Sequence, residues 1–340
     1  MATLRSDIII PEVFTPYVIE QTTVRDNFLA AGVVQPMAEL NAAEGAGDFI
    51  QVPFWKANLT GDFERLTDSS SLTPSKITAD KQVAAVLHRG KGWSSRDLAA
   101  LAAGADPMAA IGAKVADYIA HQRQKDLLSC LAGVFGAVGD NSSAAYAALT
   151  VDGGSGDTPT ALGPRQIVKA KNLLGEQGEK LTAICVHPSV YYDLMERRAI
   201  DMIYDNTGAP DTAASQGSTA AAFGSVQVPT FMGLRVIVSE DVQTAGSGSS
   251  TEYASYLFTQ GAIGSGQQMG LTSETDRDIL AKEDAMAIDL HYVYHPIGAK
   301  WSTSVSNPER SDLETVGNWS KVYETKNIGI VRVTNTSNLD

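Results

Sequence analysis

The sequence predicts an α+β protein, in which helices sit among separated strands without a regular strand–helix–strand repeat. Three observations lead there. Apolar residues recur at helical spacing over one long stretch, Pro107–Phe135. Several other stretches alternate apolar and polar residues, or run apolar briefly between turn residues, as strands do. The connecting segments are rich in Gly, Ser, Thr and Ala, which suits loops.

Residues 1–45 read as an arm bearing one helix. Ile8-Ile9-Ile10-Pro11 is a short extended patch, and Thr15-Pro16 is a helix start with Pro at the first helical position. Tyr17, Gln21, Val24 and Phe28 then recur at helical spacing, and Gly32 is the expected stop. The period changes at residue 48. Ile50, Val52 and Phe54 alternate with their neighbours, residues 59–75 form a polar loop, and Ile77, Val83, Ala85 and Leu87 resume an extended pattern. The reading is a long two-stranded ribbon, with strands of a dozen residues reaching ~40 Å. A hairpin alone is marginal in water, so this one needs something to lie on, and a neighbouring copy is the expected support.

Ser94-Ser95-Arg96-Asp97 has the order of a helix cap. Gly104, Asp106 and Pro107 break and restart the helix. The helix Pro107–Phe135 would run ~43 Å as a spine, its stripe interrupted by Gln122-Arg123-Gln124-Lys125. Residues 139–163 read as a connection between subdomains. A helix follows Pro164, then the buried strand Leu181–Val186, then a helix opened by His187-Pro188. Residues 205–230 read as a loop, and residues 234–239 and 253–263 as strands. In the last quarter Ile288, Leu290, Tyr292 and Tyr294 face one way along a strand, and residues 328–333 form a final one.

Composition excludes several function classes. There are 39 acidic against 26 basic residues, a net charge of −13, and no Lys/Arg cluster able to neutralise a run of phosphates. Cys130 and Cys185 lie far apart in apolar surroundings, so they read as small buried hydrophobes and not as a disulfide framework or zinc site. No apolar run reaches the ~18 residues of a membrane span, and residues 1–7 lack the order of a signal peptide.

The search for chemistry finds no dinucleotide turn, no phosphate-cradling loop and no nucleophile elbow. His291 and His295 are four apart, but on a strand that spacing separates them by ~13 Å, too far to share an ion. Glu240-Asp241 and Glu283-Asp284 read as solvated pairs, and His187 as a helix-entry residue. The sequence therefore nominates no catalytic, cofactor-binding or metal-binding residue.

The order of these pieces resembles the tailed-bacteriophage major capsid protein family with the HK97-like fold. The resemblance is carried by Gly47-Asp-Phe-Ile-Gln-Val-Pro-Phe-Trp55, Trp93-Ser-Ser-Arg-Asp-Leu98, Thr182-Ala-Ile-Cys-Val-His-Pro-Ser-Val-Tyr-Tyr-Asp-Leu194 and His291-Tyr-Val-Tyr-His-Pro-Ile-Gly-Ala-Lys-Trp301. It implies an N-arm at residues 1–45, an E-loop hairpin at 46–90, a peripheral domain with the spine helix at 91–162, an axial domain at 163–260, and peripheral-domain return strands at 261–340. It also implies a coat protein that self-assembles, as hexamers and pentamers, into the icosahedral head enclosing double-stranded DNA. That DNA would be contacted weakly and without sequence specificity. The chain would be made in the bacterial host cytoplasm and end in the virion. A separate scaffolding protein is expected because the arm begins at once, together with a portal and a decoration protein. No membrane is involved. On this reading Phe14, Tyr17, Phe28, Phe54, Trp55, Phe63, Arg65, Lys76 and Lys81 are the candidates for contact between subunits, and Gly104 is the candidate hinge of the spine. Two alternatives remain: an encapsulin-like nanocompartment shell, separated by its cargo, and a soluble α+β hydrolase lidded by the hairpin, separated by turnover and small size.

Overall fold

The computed structural model describes residues 27–41, 47–56, 63, 76–96, 107–139, 143–152, 160–197, 199–204, 227–247, 251–280 and 282–339. The expected helix after Thr15-Pro16 as far as residue 26, the ribbon-tip loop apart from Phe63, Gly104, and residues 205–226 lie outside them. The end of that helix is described, as Asn27–Ala30, and Gly32 follows it with φ of 71°.

In chain order the strands are β1 (Val34–Pro36), β2 (Phe49–Trp55), β3 (Ala79–Ala85), β4 (Leu87–Arg96), β5 (Thr150–Asp152), β6 (Leu181–Val186), β7 (Asp201–Tyr204), β8 (Gln227–Phe231), β9 (Leu234–Val238), β10 (Thr244–Ala245), β11 (Glu252–Thr259), β12 (Ile263–Asp278), β13 (Glu283–Pro296), β14 (Ala299–Trp301), β15 (Trp319–Lys321) and β16 (Ile330–Thr336). The spine helix is Pro107–Phe135, as the apolar spacing predicts. Further helices run over Pro164–Leu174 and Pro188–Glu196, each with Pro in its first turn, and over Arg310–Glu314.

Two larger sheets organise these elements. One runs in the order β1-β12-β13-β4, and the other in the order β5-β16-β11-β6-β9-β8-β7, with β10 pairing onto β11. The smaller pairs are β14-β15 and β2-β3. The second sheet draws β5 and β16 into the same surface as strands from residues 163–260. The boundaries expected at 162 and 260 therefore do not separate the strands of this sheet.

The spine changes character along its length. Val115, Ala116 and Ile119 bury against Met286 and Ile288 of β13, leaving the helix one-sided there. From Asp126 to Phe135 every residue is buried. A helix apolar on all sides must be wrapped by its own protein, and here both sheets supply the cover. It ends at Gly136, whose φ of 76° is the left-handed stop that glycine adopts without penalty. Buried Arg332 on β16 donates to the Gly136 carbonyl at 2.6 Å, placing a cation on the negative end of the helix dipole.

Several expectations are corrected. Ser94 to Arg96 belong to β4 and do not cap a helix, because the strand pairs with β13 through Arg96↔Glu283. The ribbon ladder of β2 and β3 comprises seven pairs, Phe49↔Ala85 to Trp55↔Ala79, about 23 Å long. The longer hairpin is β12–β13, whose first strand the hydrophobic pattern does not reveal. Residues 227–231 form β8 instead of loop, closed onto β9 by Met232-Gly233 with φ of 52° and 80°, the twist of a two-residue hairpin turn. The connection at 139–163 contains β5, and the strand expected over 253–263 stops at Thr259 before a turn at Gly261.

Candidate assembly surfaces

The ribbon is fixed at its root, and the described aromatic residues farther out, Trp55 and Phe63, are exposed. Val83, Ala84 and Ala85 are buried. Gln82 donates to the Tyr323 hydroxyl at 2.8 Å and accepts from the Gly298 amide at 3.0 Å. Phe54 meets Tyr323 edge-on at 4.7 Å. Lys81 ties the two strands through Gln51 Oε1 at 2.8 Å. Lys56 lies 2.8 Å from Asp80, and this hydrogen bond holds the Asp80 carboxyl below its usual pKa. Beyond this point the apolar groups face outward: Trp55 is 69% exposed and Phe63 fully exposed.

The polar run that interrupts the spine stripe is a belt of junctions. Gln122 accepts from Arg310 at 2.6 Å, Gln124 donates to Ser239 at 2.8 Å, and Lys125 lies 3.5 Å from Asp241. The guanidinium of Arg123 sits over the Tyr292 and Tyr294 rings. Next to this run, Asp126 is 1% exposed in side-chain area. It accepts from the Tyr292 hydroxyl at 2.6 Å, Arg89 Nε at 3.2 Å and Arg310 Nε at 2.5 Å. A carboxylate so buried is tolerable only when paired and hydrogen-bonded. Burial, and then the Asp126 charge, push the Tyr292 hydroxyl well above its ordinary pKa, so it stays a donor. The belt thereby joins the spine to β4, β13 and the segment leading into Arg310–Glu314. Sequence reasoning missed Asp126; the polar interruption beside it was the available signal.

The contact candidates separate into groups. Phe28 is 0% exposed and meets Phe258 edge-on at 6.1 Å inside the chain's own core. It is therefore corrected from a contact residue to a packing residue. Phe54 is shared between the ribbon and Tyr323, while Trp55, Phe63, Lys76 and Lys81 are exposed. Phe14, Tyr17, Arg65 and the hinge candidate Gly104 lie outside the described residues. The root of the ribbon buries Val83, Ala84 and Ala85 within the chain, so there it does not depend on the neighbouring copy that was expected to support it.

The residues weighed for chemistry have structural neighbours. His187 caps Pro188–Glu196, its Nδ1 accepting from the Ser189 amide at 3.2 Å. His291 stacks on His88 at 4.1 Å. His295 is buried and its Nε2 donates to the Ala299 carbonyl at 3.0 Å. Asp284 takes both its hydrogen bonds from Arg277 at 2.8 and 2.9 Å, and Glu283 faces Arg96. Among the described residues no three His, Cys, Asp or Glu side chains gather as metal ligands, and no helix is long and apolar enough to cross a membrane.

A family model described as major capsid protein 13-like (Gp13-like) matches residues 18–329. The major capsid protein of Bacillus phage SPP1 is 34% identical over 336 residues, 96% of each chain. The capsid asymmetric unit of cyanophage Pam1 superposes with a TM-score of 0.55 at 14% identity, covering 93% of this chain and 94% of that one. The capsid of Ralstonia phage GP4 gives a TM-score of 0.53 at 9% identity, covering 90% and 87%. At such identities the two structures speak for the HK97-like α+β fold alone.

Proposed function

The chain belongs to the Gp13-like family of major capsid proteins, and from that premise we propose how its surfaces build a phage head. It is a structural protein of the virion, forming the shell of the head. The finer reading is that copies gather as hexamers and pentamers, assisted by a separate scaffolding protein and completed by a portal and a decoration protein. Packaged double-stranded DNA would meet an acidic wall, since the net charge of −13 gives phosphates little to hold. The role is mechanical, without a catalytic step.

In domain terms, β2 and β3 are read as the root of the E-loop. The spine with β1, β4, β12 and β13 is read as the peripheral domain. The sheet built around β6, β9, β11 and β16 is read as the axial domain, with β5 and β16 redrawn into it because of their pairing.

Closed shells need contacts between unlike patches whose rotation closes. Each contact can be weak, since ~4 kcal/mol corresponds to only millimolar affinity. Several weak contacts made together persist, and errors made early can still dissociate. The observation supporting a clasping ribbon is its polarity of attachment: a root locked by Gln82 and Tyr323, and an outward-facing Trp55. Deleting residues 61–75 tests it. The expected product is folded protein that fails to form shells of normal stability; normal, stable heads would overturn the clasp.

A further inference from the structure

The chain is acidic as a whole, yet one flank of the spine gathers cations. Arg89, Lys91, Arg123 and Arg310 line a cleft beside Ile119 and Leu290. Arg123 continues into an adjoining cavity of about 420 Å³. That cavity lies where the pairing of β12 with β13 shifts register around Met269, a local irregularity that bends a strand and opens space beside it. The carboxylate within the cleft, Asp126, already serves Arg89, Arg310 and Tyr292. Among the described residues Arg123 has no carboxylate partner; its guanidinium lies 5.4 and 5.3 Å from the Tyr292 and Tyr294 ring centres. Four cations against one carboxylate, beside apolar walls, call for an occupant both acidic and apolar.

Such a segment sits at the turn of the β12–β13 hairpin. Residues 274–284 carry five carboxylates against two cations. Ile279 and Leu280 at the turn are 78% and 98% exposed. Glu283 faces Arg96 and Asp284 faces Arg277, while Glu274 and Asp276 have no cation partner among the described residues. The tip cannot reach the cleft of its own chain. The continuous ladder of β13 against β4 separates Asp284 from Leu290 by about 20 Å at the rise of a strand.

We propose that the acidic hairpin tip of one copy docks in the basic cleft on the spine of a neighbouring copy. Asp276 and Glu274 then supply the counter-charge of Arg123, and Leu280 covers the apolar wall beside Leu290. The two patches differ, so the contact is heterologous and propagates around a closing ring. It weakens with salt, because exposed charges are screened within ~8 Å at physiological ionic strength. The inference rests on the shell reading and adds to it which surfaces meet.

The test uses full-length chains carrying Leu280→Cys or Lys91→Cys, both at exposed positions, assembled separately and as a mixture and then oxidised. The native Cys130 and Cys185 are buried and do not compete. A covalent dimer from the mixed shells, absent from either chain alone, is expected. Normal shells without the mixed dimer, or a dimer from Leu280→Cys alone, overturn the contact and leave the shell reading intact. Failure of the unsubstituted chain to form shells overturns the shell reading instead. A charge exchange decides the matter if a cysteine chain does not assemble. Arg123→Glu should lower shell yield at least tenfold, and adding Asp276→Arg should restore most of it; no restoration overturns the proposal. Unchanged shell yield with Arg123→Glu but less packaged DNA would assign the cleft to nucleic acid and overturn it equally.

Discussion

Arg310 Nε lies 2.5 Å from Asp126 Oδ1, so the C-terminal quarter of the chain neutralises a carboxylate buried in the middle of the spine helix. The arginines around it are partly exposed and Asp126 is not. Removing the carboxylate therefore strands two cations and the Tyr292 hydroxyl together. Asp126→Ala is expected to destabilise the unassembled protein by about 3 kcal/mol, the low end for breaking a buried pair. Arg89→Ala should cost less, because Arg310 remains. Denaturant midpoints measure both, and an unchanged midpoint for Asp126→Ala contradicts the role of the junction.

His295 predicts an acid-sensitive fold. Burial lowers its pKa from 6.5 to about 4, so between those values the unfolded chain binds a proton that the folded chain refuses. Stability is full above pH 6.5, falls as pH drops toward about 4, and levels off below. The total is roughly 3 kcal/mol at 1.36 kcal/mol per unit. His295→Gln, which can still donate to the Ala299 carbonyl, removes this component. Urea midpoints at pH 7.5 and pH 5 should diverge more for the natural protein than for the variant; equal divergence refutes the assignment.

Gly133 predicts a sign. In an exposed helix Gly→Ala stabilises by about 1 kcal/mol. Here a Cβ would lie 1.9 Å from the Leu313 carbonyl oxygen and 2.6 Å from Trp319 Nε1, and those two atoms are hydrogen-bonded to each other at 2.7 Å. Gly133→Ala should instead destabilise by about 1–3 kcal/mol, as overpacking does. A higher melting temperature for the variant would show that the spine has room.

Phe28 and Trp55 separate folding from assembly. Phe28→Ala should cost about 3–5 kcal/mol of fold stability. Trp55→Ala should leave the unassembled chain within about 0.5 kcal/mol while lowering shell yield on a sedimentation gradient. Equal shell yield for Trp55→Ala would remove the ribbon's exposed aromatic from the contact.

The elements that could be read from the sequence are those whose pattern is self-contained. Pro107 and the apolar spacing bound the spine. Leu181–Val186 followed by Pro188 bounds a strand and a helix. The alternation around Tyr292 shows β13. Its partner β12 was hidden because Ile263–Asp278 is polar and glycine-rich over most of its length, and its last five residues, 274–278, are exposed on both faces. Such a strand forms because β13 offers it a ladder, and a single sequence carries no sign of that offer. The Asp126 junction was hidden for a related reason: Arg89, Asp126, Tyr292 and Arg310 meet only after the sheet has folded against the spine. Phe28 shows a third limit. Apolar spacing says that a side chain will be covered, but not whether by its own chain or by another.

Electron microscopy of the purified full-length chain, co-produced with the proposed scaffolding protein, tests the central claim most directly. Uniform closed shells built from many copies are the predicted result. Monomers or small oligomers at every concentration, with the chain folded, would contradict it.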